Sequence, residues 1–225
     1  MNAEPANGES SNGPFREFMY QARPIRLREP LAETLGAVTG ESALLEYSYV
    51  DAVKLAGHSC PTVTAAYLSC QEAIGRLYPA GETPVRGDIS VTVYGGPDEG
   101  SYGVMAQVIS LITGAAPATG FKGLGGSFTR KDLLRFSAEK PDPGAVSVLF
   151  RRNGAGREVL VRFFPWAIPF PEEKGRRAGE LMPAVVAGTA SKEERREFQD
   201  IWMEKIRLML IERKEIESWL KVEAR

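Results

Sequence analysis

The chain of 225 residues contains only two cysteines and one histidine. Two cysteines cannot build a disulfide framework or a zinc ribbon, so we expect a reducing, cytoplasmic setting. No apolar run approaches the roughly 20 residues that span a bilayer, and the N-terminus lacks the basic and apolar regions of a secretory signal. The net charge is −1, which gives no general attraction to nucleic acids or anionic membranes. We therefore predict neither a nucleic-acid nor a membrane partner.

The only histidine and one of the cysteines lie two residues apart, in Gly57-His58-Ser59-Cys60-Pro61. Pro61 suits the first position of a helix, because its missing N–H costs nothing there, and the small and apolar residues that follow predict a helix to Tyr78. His58 and Cys60 are thereby expected at a helix N-terminus, where the partial positive charge favours a thiolate. A thiolate beside a neutral imidazole suits zinc or another borderline metal ion.

Three interpretations of this motif stay open. The first is a metal site, although two ligands are fewer than the three or four that zinc usually takes. The second is a reactive thiol, with Cys60 as nucleophile and His58 as base. The third is packing alone, with a buried cysteine and an imidazole satisfied by a backbone carbonyl.

An acidic loop, Gly-Gly-Pro-Asp-Glu-Gly-Ser over 95–101, separates a predicted strand over 88–94 from a predicted apolar helix over 102–113. Loops in this position often carry site residues. Asp98 and Glu99 are therefore candidate outer metal ligands or acid–base groups. The alternative is that both are solvent-facing turn and helix-capping acids.

A glycine-rich segment follows at 114–127, but it does not match a phosphate-binding loop. The Gly-Lys-Ser/Thr of a P-loop is absent, and no helix is predicted after the segment, as a dinucleotide fingerprint requires. A backbone-lined wall of a small site is the remaining functional interpretation.

The other segments give a coarse domain plan. Residues 1–14 are polar and small, which predicts a disordered tail, and the Pro-rich segment 165–171 predicts a boundary between a core over 15–165 and a C-terminal helical segment over 166–225. Further helices are predicted over 30–38, over 50–56, over 172–186 with an interruption near Pro183, and from the Ser191/Glu194 capping box to about Leu220. Strands are predicted over 43–49 and as a hairpin over 145–152 and 158–164, and 128–136 is predicted as a strand or mixed segment.

Apolar residues recur along the last predicted helix at spacings of three, four and seven. This stripe packs against the chain's own core or against a second copy, so we hypothesise a homodimer. Its members are Phe198, Trp202, Ile206, Met209, Ile216 and Leu220.

The Gly57–Pro61 motif, preceded by Asp51-Ala52-Val53-Lys54, resembles the Gly-His-x-Cys-Pro motif of the FmdE family of formylmethanofuran dehydrogenase proteins. The order of the following elements is also similar: a strand, a loop, an apolar helix ending at Thr113-Gly114, and the 187–194 segment leading into a helix. The resemblance covers most of the chain from about Ala43, and the Gly-His-x-Cys-Pro motif is its specific part.

The resemblance implies an α+β fold, with a mixed or antiparallel sheet and packed helices, a metal site at His58 and Cys60, and a homodimer. The expected function is binding of a divalent metal, zinc first and iron or nickel next, that acts on or senses a small one-carbon or carbonyl ligand. The alternative is a non-catalytic dimeric accessory or interaction protein associated with a molybdenum or tungsten redox enzyme.

The chain also departs from the family pattern. Thr62 stands where the family motif has glycine, and Ala115 or Ala116 replaces a family cysteine. No cysteine follows Cys70, so the family's C-terminal zinc ribbon is missing. Asp98, Glu99, water or an exogenous ligand would then have to complete a site at His58 and Cys60.

Overall fold

A computed structural model describes residues 13–40 and 44–225. The predicted disordered tail therefore lies outside the described residues, except for its last two. Helices in the described part are α1 Pro30–Thr34, α2 Tyr49–Ala56, α3 Pro61–Leu77, α4 Tyr102–Thr113, α5 Glu172–Val186, α6 Lys192–Arg207 and α7 Ile216–Trp219. Its strands are β1 Ile25–Arg28, β2 Leu44–Tyr47, β3 Ile89–Tyr94, β4 Leu134–Ser137, β5 Val146–Arg152, β6 Glu158–Phe163 and β7 Leu220–Ala224. No helix within these residues is long and apolar enough to cross a membrane.

The main sheet has the strand order β4-β3-β5-β6-β7. Strands β3 and β4 are parallel, and the other neighbours are antiparallel. A separate antiparallel pair joins β1 and β2. Helices pack on this mixed sheet, which confirms the predicted α+β class. Alternate residues of β3 are buried, as its apolar–polar alternation predicts.

Helix α3 is the central helix of the core, because twelve of its seventeen residues are buried. Small side chains such as Ala65 and Ala66 are fully buried in it. The buried Tyr67 hydroxyl lies within hydrogen-bond distance of the Arg23 and Tyr47 carbonyls, at 2.9 and 3.0 Å. The polar atom in this part of the core is therefore satisfied, as buried polar groups must be.

Helices α3 and α4 run in the same direction. Just after α3, the Tyr78 hydroxyl donates to the Asp88 carboxylate at 3.1 Å, and at the end of α4 the Thr113 carbonyl accepts from the Gly87 amide at 2.8 Å. Both helices therefore end beside the segment 85–88. Strand β3 leaves from this segment and α4 returns to it, so the loops 57–60 and 95–101 lie at the opposite end, where both helices begin.

The C-terminal part corrects the prediction of one helix from Ser191 to about Leu220. Helix α6 ends at Arg207 and continues as a π-helical turn, after which Arg213 and Glu215 adopt left-handed backbone angles. A continuous helix would extend about 43 Å, whereas these turns bring the chain back so that Leu220 is buried and β7 pairs with β6. The sheet thus includes residues on both sides of the predicted boundary at 165–171.

Smaller differences concern element bounds. Helix α5 continues through Pro183, so the predicted interruption is wrong. Pro183 is exposed near the end of the helix, where water can satisfy the carbonyl that its missing N–H leaves without a partner. The helix predicted over 30–38 ends at Thr34. Of the segment 128–136, predicted as a strand or mixed segment, only the last three residues form a strand, as part of β4 over 134–137. The hairpin and α4 form as predicted.

Candidate metal site at the start of helix α3

The Gly57–Pro61 motif is held between two helices. Helix α2 begins with a capping box between Ser48 and Asp51. It ends at Gly57, whose φ of +73° turns the chain in a conformation that glycine adopts without strain. Cys60 is the N-cap of α3, and its Sγ accepts from the Val63 amide at 3.5 Å. The predicted position of Cys60 at a helix N-terminus is therefore confirmed.

The His58 side chain is exposed, and its Nδ1 lies 2.9 Å from the Ala56 carbonyl oxygen. Because a carbonyl only accepts, Nδ1 donates this bond, and Nε2 is the nitrogen that carries the free lone pair in the neutral imidazole. This backbone bond is what the packing interpretation expects of the imidazole. It is also the bond that orients most metal-ligating histidines, and here the free nitrogen belongs to an exposed ring.

Ser59, between the two candidate ligands, is buried and fixed at two atoms. Its Oγ shares a hydrogen bond of 2.7 Å with the Tyr49 hydroxyl, and its carbonyl accepts from Trp202 Nε1 at 2.9 Å. The Tyr49 hydroxyl also shares a bond of 2.8 Å with Thr64 Oγ1. Burial raises the pKa of Tyr49 to about 12, so this phenol stays neutral at pH 7. Helix α6 thus holds the motif through Trp202.

The acidic loop lies at the same end of the fold as the motif, and Asp98 and Glu99 are both exposed. The Glu99 carboxylate forms an ion pair with Lys140 and accepts from the Gly96 amide at 3.2 Å. These two bonds, that of Lys140 first, lower the pKa of Glu99 below its usual range. The N-cap of α4 is Ser101, without a side-chain capping bond, so neither acid caps that helix.

The complete ligand set stays a prediction. Over 13–40 and 44–225, no group of three or more His, Cys, Asp and Glu side chains is placed to hold a metal ion. The motif therefore offers two ligand atoms, His58 Nε2 and Cys60 Sγ. Asp98 and Glu99 stand at the same end of the molecule outside any such group.

The two cysteines differ sharply in their surroundings. Cys60 is partly buried, whereas Cys70 is fully buried inside α3. This burial raises the pKa of the Cys70 thiol. Cys70 is therefore a core residue, as predicted, and Cys60 is the thiol that a metal or an electrophile can reach.

Sequence reasoning missed two features. One is the clamp on Ser59, whose Trp202 partner lies 143 residues away along the chain. The other is a buried ion cluster of Glu29, Arg86 and Arg130, which surrounds a cavity at the other end of the fold. No local signal distinguishes these arginines from the other basic residues of the chain.

Comparison with family models finds no match for this chain, and comparison with curated proteins finds none either. The likeness to the FmdE family thus depends on the Gly57–Pro61 motif and on the order of elements. Function is therefore inferred from the geometry of the residues.

Proposed function

We propose that this protein binds a divalent metal ion, zinc first, through His58 Nε2 and Cys60 Sγ. The observation that carries the proposal is the bond from His58 Nδ1 to the Ala56 carbonyl, because it leaves Nε2 as the only nitrogen able to bind a metal. The Cys60 side chain two residues later caps the N-terminus of α3 and is only partly buried. Imidazole and thiolate together are a zinc donor set.

The donor set fits one half of a tetrahedral zinc site. Two further positions are left for water, for a small ligand, or for Asp98 or Glu99 if the acidic loop moves. A zinc ion with open positions supplies a Lewis acid that can polarise the carbonyl of a small or one-carbon ligand. Iron or nickel would suit the same two ligands.

The residues around the motif have a positioning role in this proposal. Trp202 and Tyr49 hold Ser59 on two sides, so the backbone between the two ligands cannot rotate freely. The Ala56 carbonyl fixes the tautomer and the plane of the imidazole. A reducing, cytoplasmic compartment, which keeps Cys60 as a free thiol, is part of the proposal.

The test is metal analysis of the purified chain together with cobalt titration. We expect about one metal ion per chain, and an absorption band from cobalt–thiolate bonding when Co²⁺ replaces it. His58→Ala and Cys60→Ser should each abolish the band. Cys70→Ala is the matched control, since it removes the other cysteine of the chain and should leave the band unchanged.

Other outcomes would refute the proposal. If the chain takes up no metal after reconstitution, and Cys60 instead alkylates rapidly at neutral pH, the site is a reactive thiol. If it does neither, and Cys60→Ser changes nothing, the motif serves packing and the protein is better described as a dimeric accessory module. A measurement of molecular mass in solution would then test the homodimer directly.

A further inference from the structure

We propose that a cavity beside Glu29 binds a small organic carboxylate through Arg86 and Arg130. The cavity has a volume of about 240 Å³ and lies between the start of α1, the segment 85–88 and the residues 128–130. It is at the end of the fold where α3 and α4 terminate, opposite the Gly57–Pro61 motif. The site is therefore separate from the proposed metal site, and either proposal can fail without the other.

A buried cluster of two arginines and one glutamate lies at this cavity. Glu29 Oε2 accepts from Arg86 Nη1 at 2.7 Å and from Arg130 Nη1 at 3.1 Å. The exposed fractions of the Glu29, Arg86 and Arg130 side chains are only 9%, 13% and 8%. Two nearly buried guanidinium groups thus share one carboxylate oxygen, which leaves one positive charge without a partner.

The other acids near the cavity are more exposed to water than this cluster. Asp88 also lines the cavity, where its carboxylate accepts from the Tyr78 hydroxyl at 3.1 Å and lies 3.5 Å from Arg152, which pairs more closely with Glu82. The Asp88 and Glu82 side chains are 30% and 46% exposed, so water and salt screen their charges more than those of the buried cluster. The Leu111 carbonyl, near the C-terminus of α4, accepts from Arg86 Nη2 at 3.0 Å and contributes only the partial charge of a helix end. Burial and the nearby Arg86 both lower the pKa of Arg130, and these effects outweigh the opposite effect of the nearby Glu29.

The two arginines also have unused hydrogen-bond donors. The Nε atoms of Arg86 and Arg130 are buried, and neither has a hydrogen-bond partner in the part of the chain that the structure describes. Buried donors without partners are uncommon and require an explanation. A carboxylate is the usual partner of a guanidinium, so a ligand of this class would match the charge of the cluster.

The backbone around the arginines includes two residues with positive φ, Gly114 and Phe128. Gly114 has a φ of +77°, and a Cβ atom there would lie 3.0 Å from Arg86 Cγ and 3.1 Å from Arg130 Cδ. The ring of Phe121 packs on the guanidinium of Arg130, with its centre 3.8 Å from Arg130 Cζ. Phe128, in the cavity wall, has a φ of +59°, which is rare for a bulky residue. Strained backbone of this kind concentrates at binding sites.

The charge and the size of the cavity define the ligand class. One uncompensated positive charge matches a monoanion, and Glu29 and Asp88 would repel a dianion such as a phosphate monoester. The volume suits a ligand of a few heavy atoms. A small carboxylate therefore fits better than a phosphate.

The test follows the arginine Nε–H signals of the ¹⁵N-labelled full chain by NMR during titration with acetate, propionate or benzoate. Chloride at equal ionic strength and inorganic phosphate are the comparison anions. We expect at least one carboxylate to cause saturable shifts in two buried arginine signals, whereas chloride causes none. Absence of saturable shifts with every carboxylate, or saturation by phosphate alone, would overturn the proposal.

Three variants sharpen the result. Arg130→Met should weaken binding at least tenfold, because Arg86 then neutralises Glu29 and no excess charge remains. Glu29→Gln should tighten binding at least threefold, because it removes the internal competitor for the arginines. Arg195→Met, on the exposed face of α6, is the matched control and should change nothing. A folded Arg130→Met that binds like the wild type would contradict the proposal, and so would weaker binding by Glu29→Gln.

Discussion

Gly114 and Gly57 provide a matched pair of substitutions that measures how tightly the buried arginines are packed. Each residue ends a helix in the left-handed conformation, with φ of +77° at Gly114 and +73° at Gly57. A Cβ atom at Gly57 would meet nothing within 4 Å, whereas one at Gly114 would meet Arg86 at 3.0 Å and Arg130 at 3.1 Å. Alanine at both positions therefore imposes the same backbone cost, and only at Gly114 does it press on the arginines.

The expected magnitudes follow from these two effects. A left-handed non-glycine residue costs about 1–2 kcal/mol, which is the full expected effect of Gly57→Ala on the free energy of unfolding. Overpacking a tightly filled site costs a further 1–3 kcal/mol or so. Gly114→Ala should therefore destabilise the protein by about 2–5 kcal/mol, because the stems of Arg86 and Arg130 are held by Glu29 and cannot simply rotate away.

Equilibrium urea denaturation of the wild type and both variants measures the difference. The change in midpoint, multiplied by a common slope, gives each loss of stability. Gly114→Ala is expected to lose more than Gly57→Ala by at least about 1 kcal/mol. Equal losses would show that the arginines give way freely, and would refute the inference that the backbone is shaped around them.

Two further predictions concern the motif. In the folded, metal-free protein at pH 8, a thiol reagent should modify Cys60 before Cys70, because Cys60 is only partly buried. Cys70 should react only after unfolding, because it is fully buried and burial raises its pKa. Fast modification that persists in Cys60→Ser would contradict this burial. Trp202→Phe should cost about 1 kcal/mol of stability, since it leaves the carbonyl of the buried Ser59 without its donor. Trp166→Phe is the control, because the Trp166 side chain also donates to a backbone carbonyl but is 75% exposed. We expect it to change the free energy of unfolding by less than about 0.5 kcal/mol. Equal losses of stability in the two variants would refute the special role of Trp202.

Local sequence signals predict the elements in which they are strong. Helix α4 has the predicted bounds 102–113, because a glycine follows its apolar run and its first residues adjoin a glycine-rich turn. The hairpin of β5 and β6 is predicted by alternating residues around Asn153-Gly154. In both cases neighbouring residues alone decide the structure.

The prediction for the C-terminal part is wrong because tertiary contacts decide its structure. Arg213 and Glu215 adopt left-handed angles without any glycine or asparagine to indicate a turn. The apolar spacing continues past them, so the sequence resembles one long helix. The burial of Trp219 and the pairing of β7 with β6 favour the turn, and neither is visible from local sequence.

The candidate sites also differ in whether local sequence or tertiary contacts bring their residues together. His58 and Cys60 are two residues apart, so their joint position could be predicted from the sequence. Glu29 and Arg130 are separated by 101 residues, and only the folded chain brings them together. Their chemistry also depends on burial, which turns ordinary surface residue types into a charged cluster inside the protein.

The parallel arrangement of α3 and α4 explains why the two proposed sites lie where they do. Aligned helices carry partial positive charge at their N-termini and partial negative charge at their C-termini. Cys60, which must lose a proton to bind a metal, is at the N-terminus of α3, and Arg86 donates to Leu111 in the last turn of α4. Cys60 thus lies at the positive end of one helix, and Arg86 contacts the negative end of the other. Because the field decays within about one helical turn, neither site senses the other, and Arg130→Met should leave cobalt binding at Cys60 unchanged.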